Sequence, residues 1–198
     1  MGQRPTLRTE RLLLRPFELS DARDVQRLAG DRAIAEMTAT IPHPYEDGMA
    51  EEWIGTHQER FDAGDLVNFA IVRQDTGELV GAIGLMGLAN SSERGEIGYW
   101  IGKPDWGHGY CTEAARAAIT YGFSVLRLNR IHGRYCKRNP ASGRVMAKIG
   151  MTYEGCLRQH EKKWGQIEDM VLYGMLRAEW ESRNGHGDAS DGGSTGTP

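Results

Sequence analysis

The apolar positions of this chain come in short runs, most of them broken by glycine, proline or charge, and only a few stretches carry the longer helical repeat. Arg11-Leu12-Leu13-Leu14-Arg15, stopped by Pro16, reads as a first strand. Ser20 and Asp21 then open a helical pattern through Ala22, Val25, Leu28 and Ala29 that ends near Gly30. Ile41-Pro42-His43-Pro44 is loop, and a second helix is predicted over Glu46–Phe61, acidic in its first turn as the macrodipole favours and stopped by Gly64. Three strands are predicted next, Val67–Arg73, Leu79–Leu88 and Glu96–Ile101. Gln74-Asp75-Thr76-Gly77-Glu78 between the first two is a hairpin turn, and so short a link forces antiparallel pairing because a parallel neighbour needs a crossover.

The pattern then lengthens. A helix is predicted over Tyr110–Leu126, with Ala114, Ala118, Tyr121 and Val125 on its apolar face, followed by a strand at Arg130–Cys136. Pro140–Ile149 reads as a helix ended by Gly150, and two last strands, Tyr153–Lys162 and Glu168–Arg177, flank a turn at Trp164-Gly165. The sum is a mixed α/β domain with one central, mostly antiparallel sheet of about seven strands flanked by helices. The domain is expected over residues 6–182. Residues 183–198 hold five glycines and only Ala189 from the hydrophobic class, too little apolar surface to offset ordering, so a disordered Gly-rich tail is expected there.

Composition excludes several function classes. The 198 residues are 39% hydrophobic and 26% charged, with 24 basic against 27 acidic side chains. A formal charge of −3 gives no reason to expect a nucleic-acid partner, which needs a concentrated basic face. No apolar run approaches the roughly 20 residues that span a bilayer, and Met1-Gly2-Gln3-Arg4-Pro5 lacks the apolar core of a signal peptide. A cytoplasmic protein with no membrane partner is expected. Cys111, Cys136 and Cys156 form no CxxC pair, and the six histidines show no HxxxH or HExxH spacing, so no metal is expected and the thiols are read as buried or neutral. Met1-Gly2 with Thr6 matches a myristoylation pattern and Asn90-Ser91-Ser92 a glycosylation acceptor; neither has supporting context.

The chemistry concentrates in Pro104-Asp105-Trp106-Gly107-His108-Gly109-Tyr110-Cys111-Thr112-Glu113-Ala114-Ala115, between a strand and a helix. Unpaired N–H groups and the helix dipole favour an anion there, Gly107 and Gly109 let backbone approach it, and Thr112 adds a hydroxyl. A glycine-rich turn that merely reverses the chain would look the same. Gly107-x-Gly109-x-x-Thr112 approximates a dinucleotide fingerprint, but its third glycine is missing, it follows an antiparallel meander, and no acidic residue ends the next strand. The lysine-bearing phosphate loop is absent.

Glu96-Ile97-Gly98-Tyr99-Trp100-Ile101 followed by Trp106-Gly107-His108-Gly109-Tyr110-Cys111-Thr112-Glu113-Ala114 resembles the acetyl-CoA-binding segment of the GNAT acetyltransferases, and within them the RimJ/RimL branch, which acetylates N-terminal amines of ribosomal proteins. The opening Thr9-Glu10-Arg11-Leu12-Leu13-Leu14-Arg15-Pro16, the stretch Asn139–Met151, and Glu154-Gly155-Cys156-Leu157-Arg158 with Asp169-Met170-Val171-Leu172-Tyr173 resemble the same branch in the same order. The resemblance implies the GNAT fold, acetyl-CoA as cosubstrate, and direct transfer to a primary amine in a ternary complex. It implies that Trp106, Gly107, His108, Gly109, Tyr110 and Cys111 wrap the pyrophosphate with backbone amides, with Thr112 beside them in the cofactor site. Trp106 replaces the family's polar first residue and Cys111 its last small one.

By the same resemblance Tyr99, Trp100 and Ile101 offer backbone to the pantetheine arm, Asn139 hydrogen-bonds it, and the splayed strand's N–H groups hold the oxyanion. Ser142 corresponds to the serine proposed to protonate the leaving thiolate; helix capping beside Asn139 is the alternative duty for it. Glu96 is the candidate general base, with a solvated strand-end charge as its alternative. Trp53, Trp164 and Trp180 are expected to be packing groups, with Trp164 in reach of the acceptor cleft, and Glu46, Asp47, Glu51 and Glu52 to be a solvated helix start. The expected acceptor is a protein or peptide α-amine. A small-molecule amine (polyamine, amino sugar or amino-acid derivative) and a non-catalytic acyl-CoA-binding module are the alternatives, and a homodimer stays open.

Overall fold

In the computed structural model, which describes residues 2–184, the strands are β1 (Leu7–Arg8), β2 (Leu12–Arg15), β3 (Leu66–Arg73), β4 (Leu79–Met86), β5 (Arg94–Ile101), β6 (Arg130–Cys136), β7 (Thr152–Lys163) and β8 (Gln166–Leu176). The helices are α1 (Ala22–Ala29), α2 (Arg32–Ala35), α3 (Met49–Asp62), α4 (Tyr110–Ser124), α5 (Pro140–Lys148) and α6 (Arg177–Asn184). One eight-stranded sheet runs in the order β1-β2-β3-β4-β5-β6-β8-β7. Every pairing is antiparallel except β5 with β6, the two strands joined by the α4 crossover.

Strands β3 and β4 read almost continuously apolar because helices cover the sheet on both faces. On one face α4 packs with Leu12, Leu14, Ile83, Leu85 and Ile97. Its Ala114, Ala115 and Ala118 are completely buried, and side chains that small let the helix approach the strands closely. On the other face α1 and α3 enclose Phe17, Val25, Leu28, Ile54, Ala70 and Val72.

The eighth strand, β1, and the one-turn α2 exceed the expected elements. Each is too short to show a period, and α2 is set by the Asp31 carboxylate accepting from the Ala33 N–H at 2.8 Å. Helix α3 starts at Met49, not Glu46, because Gly48 takes φ 87°, leaving Glu46 and Asp47 in the preceding turn. Helix α4 stops at Ser124, and Val125, expected on its buried face, is 61% exposed. The chain turns there instead, with the N–H groups of Leu126 and Leu128 donating back to Tyr121 and Gly122. The last strand ends at Leu176, where the Glu179 carboxylate accepts its N–H and starts α6. That helix runs two residues past Ser182. The rest of the expected tail, 185–198, lies outside the described residues. Among the described residues no helix is long and apolar enough to cross a membrane.

Candidate active site

The sheet opens at its centre. β5 and β6 pair only at Arg94–Glu96 with Arg130–His132, while β4 follows β5 to Ile101 and β8 follows β6 to Cys136. From Gly98 to Ile101 and from Gly133 to Cys136 the facing edges have therefore separated, and the backbone groups of Tyr99, Trp100 and Ile101 on that side have no strand partner. An extended chain laid in such a gap completes the ladder.

At the open end lies the loop that the sequence singled out. Trp106 does not point away: its indole N–H donates to the Ile101 carbonyl at 2.7 Å and folds the loop back onto the end of β5. Gly107 (φ 83°) and Gly109 (φ 82°) both require the left-handed region, and nothing lies within 4 Å of a Cβ position at Gly107. Gly109 is the N-cap of α4 with no side-chain cap, and the first helical bond runs from Glu113 to its carbonyl. The amides of Tyr110, Cys111 and Thr112 thus begin the helix as donors without a helical acceptor, a seat for an anion. The His108 ring is exposed and stacks on Tyr110 at 5.5 Å between centroids. The Cys111 thiol, pushed up to about 12 by burial, is a neutral group at the helix start.

Two residues that the sequence left unassigned hold this loop in place. The Glu113 carboxylate accepts from the Thr9 hydroxyl at 2.6 Å, the Arg11 N–H at 2.8 Å and Arg11 Nε at 2.7 Å. Arg11 in turn donates to the His108 carbonyl at 3.0 Å. Burial alone would raise the Glu113 pKa, but these hydrogen bonds outweigh it and hold the carboxyl below its ordinary value. The start of β2 is thereby clasped to the first turn of α4.

On the far side of the gap, Asn139 is the N-cap of α5 and its side-chain oxygen accepts from the Ser142 N–H at 3.4 Å. The capping duty weighed for Ser142 thus falls to Asn139, whose amide NH2 end is a separate donor. The Ser142 hydroxyl lies 3.0 Å from the Tyr99 phenol, which also donates to the Ser142 carbonyl at 3.1 Å. The two residues are 43 positions apart, and the gap brings them together.

The residues lining this gap fit an acyl-CoA in kind: uncapped amides for a pyrophosphate, an unpaired strand edge for an amide-bearing arm, and the Ser142 hydroxyl of α5, beside Tyr99 of β5, for a sulfur. The family model described as an acetyltransferase (GNAT) domain matches residues 11–152. The chain belongs to the GNAT acetyltransferase family. It is 33% identical over 175 residues to an uncharacterized N-acetyltransferase, p20, of Bacillus licheniformis, covering 88% of this chain and 98% of that one. It is 29% identical over 182 residues to the [ribosomal protein uS5]-alanine N-acetyltransferase of Escherichia coli, 88% of this chain and 92% of the other. A crystal structure of a GNAT-family acetyltransferase from Bacillus anthracis superposes with a TM-score of 0.77 at 28% identity, over 88% of this chain and all of that one.

In this GNAT domain Glu96 sits at the closed end of the gap on the face opposite Tyr99, since neighbours of opposite parity on a strand point apart. It is no free strand-end charge. Its carboxylate accepts from Arg134 Nε at 3.0 Å and lies 3.9 Å from His132 Nε2, and the same guanidinium pairs with Glu161 of β7. Glu96 and Ser142 therefore approach the gap from its two sides without touching. Trp53 packs edge-on against Phe17 (5.0 Å) and His57 (4.5 Å), and Trp180 lies against Phe123, as expected of core groups. Trp164 is different: it is 47% exposed at the β7–β8 turn, with Lys163 Nζ over its ring and His43 beside it. Lys163 also donates to the Ile41 carbonyl at 2.8 Å, joining that hairpin to the loop before α3.

Proposed function

We propose that this N-acetyltransferase takes acetyl from acetyl-CoA and passes it directly to a primary amine, with the α-amine of a protein or peptide as its acceptor. The observation that carries the reading is the gap between β5 and β6, with uncapped amides of α4 at its mouth and the Ser142 hydroxyl on its wall. Identity to a uS5-alanine N-acetyltransferase across nearly the whole domain supports a protein α-amine.

Bound there, acetyl-CoA supplies an activated thioester. The chain's own residues do the rest. The loop from Trp106 to Thr112 holds the anionic end, and the edge of β5 from Tyr99 to Ile101 aligns the arm. Asn139 adds a donor to that arm. Backbone N–H groups of the splayed edge face the carbonyl where negative charge develops. Ser142 stands by the departing sulfur, and Glu96, hydrogen-bonded to Arg134, receives the amine proton directly or through water. Holding amine and thioester together itself contributes several kcal/mol, about 7–11 in well-oriented cases.

The test is thiol release from acetyl-CoA in the presence of an amine panel of N-terminal peptides, polyamines, amino sugars and amino-acid derivatives, with mass spectrometry of the products. A one-acetyl mass shift on peptide α-amines is the expected result. A shift confined to small amines would move the acceptor class, and no release with any amine would refute acetyl transfer.

A further inference from the structure

Tyr99 enters the reading above only through its backbone, yet its side chain bonds twice to the residue placed beside the sulfur. The phenol oxygen lies 3.0 Å from Ser142 Oγ and 3.1 Å from the Ser142 carbonyl oxygen. Around it stand Cys111 from α4, Tyr135 from β6 and Ser142 from α5. Burial pushes the phenol well above its ordinary pKa, Cys111 and Tyr135 add to this, and the bond to Ser142 only partly offsets it. Tyr99 therefore keeps its proton at every working pH, as does the neighbouring Cys111 thiol.

The carbonyl oxygen of Ser142 can only accept, so the phenol is the donor toward it. Between the two hydroxyls either can donate. With the phenol proton shared between that carbonyl and Ser142 Oγ, the serine's own O–H is left free of Tyr99. Without the phenol, a serine hydroxyl in the first turn of a helix turns back to a backbone carbonyl three or four residues earlier. We propose that Tyr99 is a positioning residue for acyl transfer, its phenol donating to the oxygens of Ser142 and so aiming the Ser142 O–H into the gap between β5 and β6, at the sulfur of the leaving thiolate. The inference rests on the reading of Ser142 given above and deepens it.

The chemistry balances without deprotonating either hydroxyl. The amine nitrogen forms a bond to the acyl carbon, the carbon–sulfur bond breaks, and its electron pair goes to sulfur. One proton leaves the nitrogen, and one reaches the sulfur after exchange with water. Both hydroxyls are weaker acids than a thiol, so they stabilise the thiolate as hydrogen-bond donors and do not surrender a proton to it. A hydrogen bond to a charged sulfur is stronger than one to a neutral thiol. The arrangement therefore favours the leaving group only as it becomes anionic, which is when it is needed.

The prediction is read on bound CoA and needs no acceptor. Wild type, Tyr99→Phe, Ser142→Ala and the double variant are each saturated with CoA, and the pKa of the bound thiol is followed by thiolate ultraviolet absorbance. Calorimetry near neutral pH, where the thiol is protonated, gives affinity. Both single variants should raise the bound thiol pKa by about one unit, and the double variant should add nothing to Ser142→Ala. Neutral-pH affinity should stay within about twofold of wild type, since the donors act on the anion. An unshifted thiol in Tyr99→Phe, or additive shifts in the double variant, overturns the role of Tyr99. A shift in Tyr99→Phe with none in Ser142→Ala overturns it as well, because the phenol would then act without the serine. Wild-type protein that binds no CoA refutes the acyl-CoA reading itself, an outcome distinct from CoA bound with an unmoved thiol. Should Tyr99→Phe fail to fold, a fluorotyrosine placed at position 99 is a stronger donor and must lower the thiol pKa; no change again refutes the proposal.

Discussion

Gly109 combines two demands that a side chain cannot meet together. Its φ of 82° lies where L-residues are strained, and it caps a helix whose first amides have no helical acceptor. Gly109→Asp adds a carboxylate at that point, and a Cβ there would already meet the Arg11 guanidinium at 3.5 Å. Affinity for acetyl-CoA should fall by about tenfold or more in calorimetry, with the variant still folded by circular dichroism. Glu96 makes a different prediction, because its carboxylate stands at the closed end of the gap, bonded to Arg134 Nε. With Glu96→Gln no carboxylate receives the amine proton, so turnover near neutral pH should drop by about 10²-fold. It should recover as rising pH deprotonates the amine in solution, and a pH profile of kcat/KM parallel to wild type would remove Glu96 from the mechanism.

At the scale of elements, α3 is seated through a buried histidine. His57 is 1% exposed, lies edge-on to Phe17 and Trp53, and meets the Asn68 amide at 3.1 Å through Nε2. Its Nδ1 is buried without a hydrogen-bond partner. Burial, with Arg4 and Arg60 adding to it, lowers its pKa from 6.5 to about 4. As pH falls, the unfolded chain takes up this proton first. The contribution of neutral His57 to stability is thus complete above 6.5, shrinks as pH falls toward about 4, and is constant below that. The difference amounts to about 3 kcal/mol. Urea unfolding at about pH 7.5 and about pH 4.5 should show that loss in wild type and a markedly smaller one in His57→Gln, which retains a polar group for Asn68. Equal acid sensitivity in the two proteins would place the acid-labile group elsewhere. The clasp of Arg11 and Glu113 works at the same scale, because it ties the first long strand to the helix that begins the anion seat, across 102 positions of sequence.

For the whole molecule the consequential feature is how little strand pairing joins the two halves of the sheet. Strands β1 to β5 pair with β6 to β8 only along Arg94–Glu96 and Arg130–His132, while α4 packs on both halves and Arg138 and Lys163 donate across to the Glu36 and Ile41 carbonyls. A ligand lying in the gap touches both halves and binds only the folded chain, so its binding free energy adds to stability. CoA at about a hundred times its dissociation constant should stabilise the protein by about 2.7 kcal/mol, read as a rise in Tm. NADH, whose fingerprint glycine and ribose-binding acid are missing here, should leave Tm unchanged. A shift with NADH and none with CoA would reverse the assignment of the gap.

Short apolar runs and helical spacing were enough to place the main strands and helices, because those runs are the stretches buried under helices on both faces of the sheet. Local chemistry was enough to place the Trp106–Thr112 loop, since left-handed glycines before a helix are a property of a few consecutive residues. Where elements end was decided elsewhere: α4 stops before Val125 because Leu126 and Leu128 bond back to its last turn, and α3 starts late because Gly48 turns the chain. The working contacts were further out of reach. Tyr99 with Ser142, Arg11 with Glu113, and Arg134 between Glu96 and Glu161 each join residues far apart in the chain. The sequence by itself determined which residue types the candidate site contains and on which elements they ride. Only the tertiary structure decided which of them meet, because that depends on where two parallel strands stop pairing, and no local pattern along either strand records it.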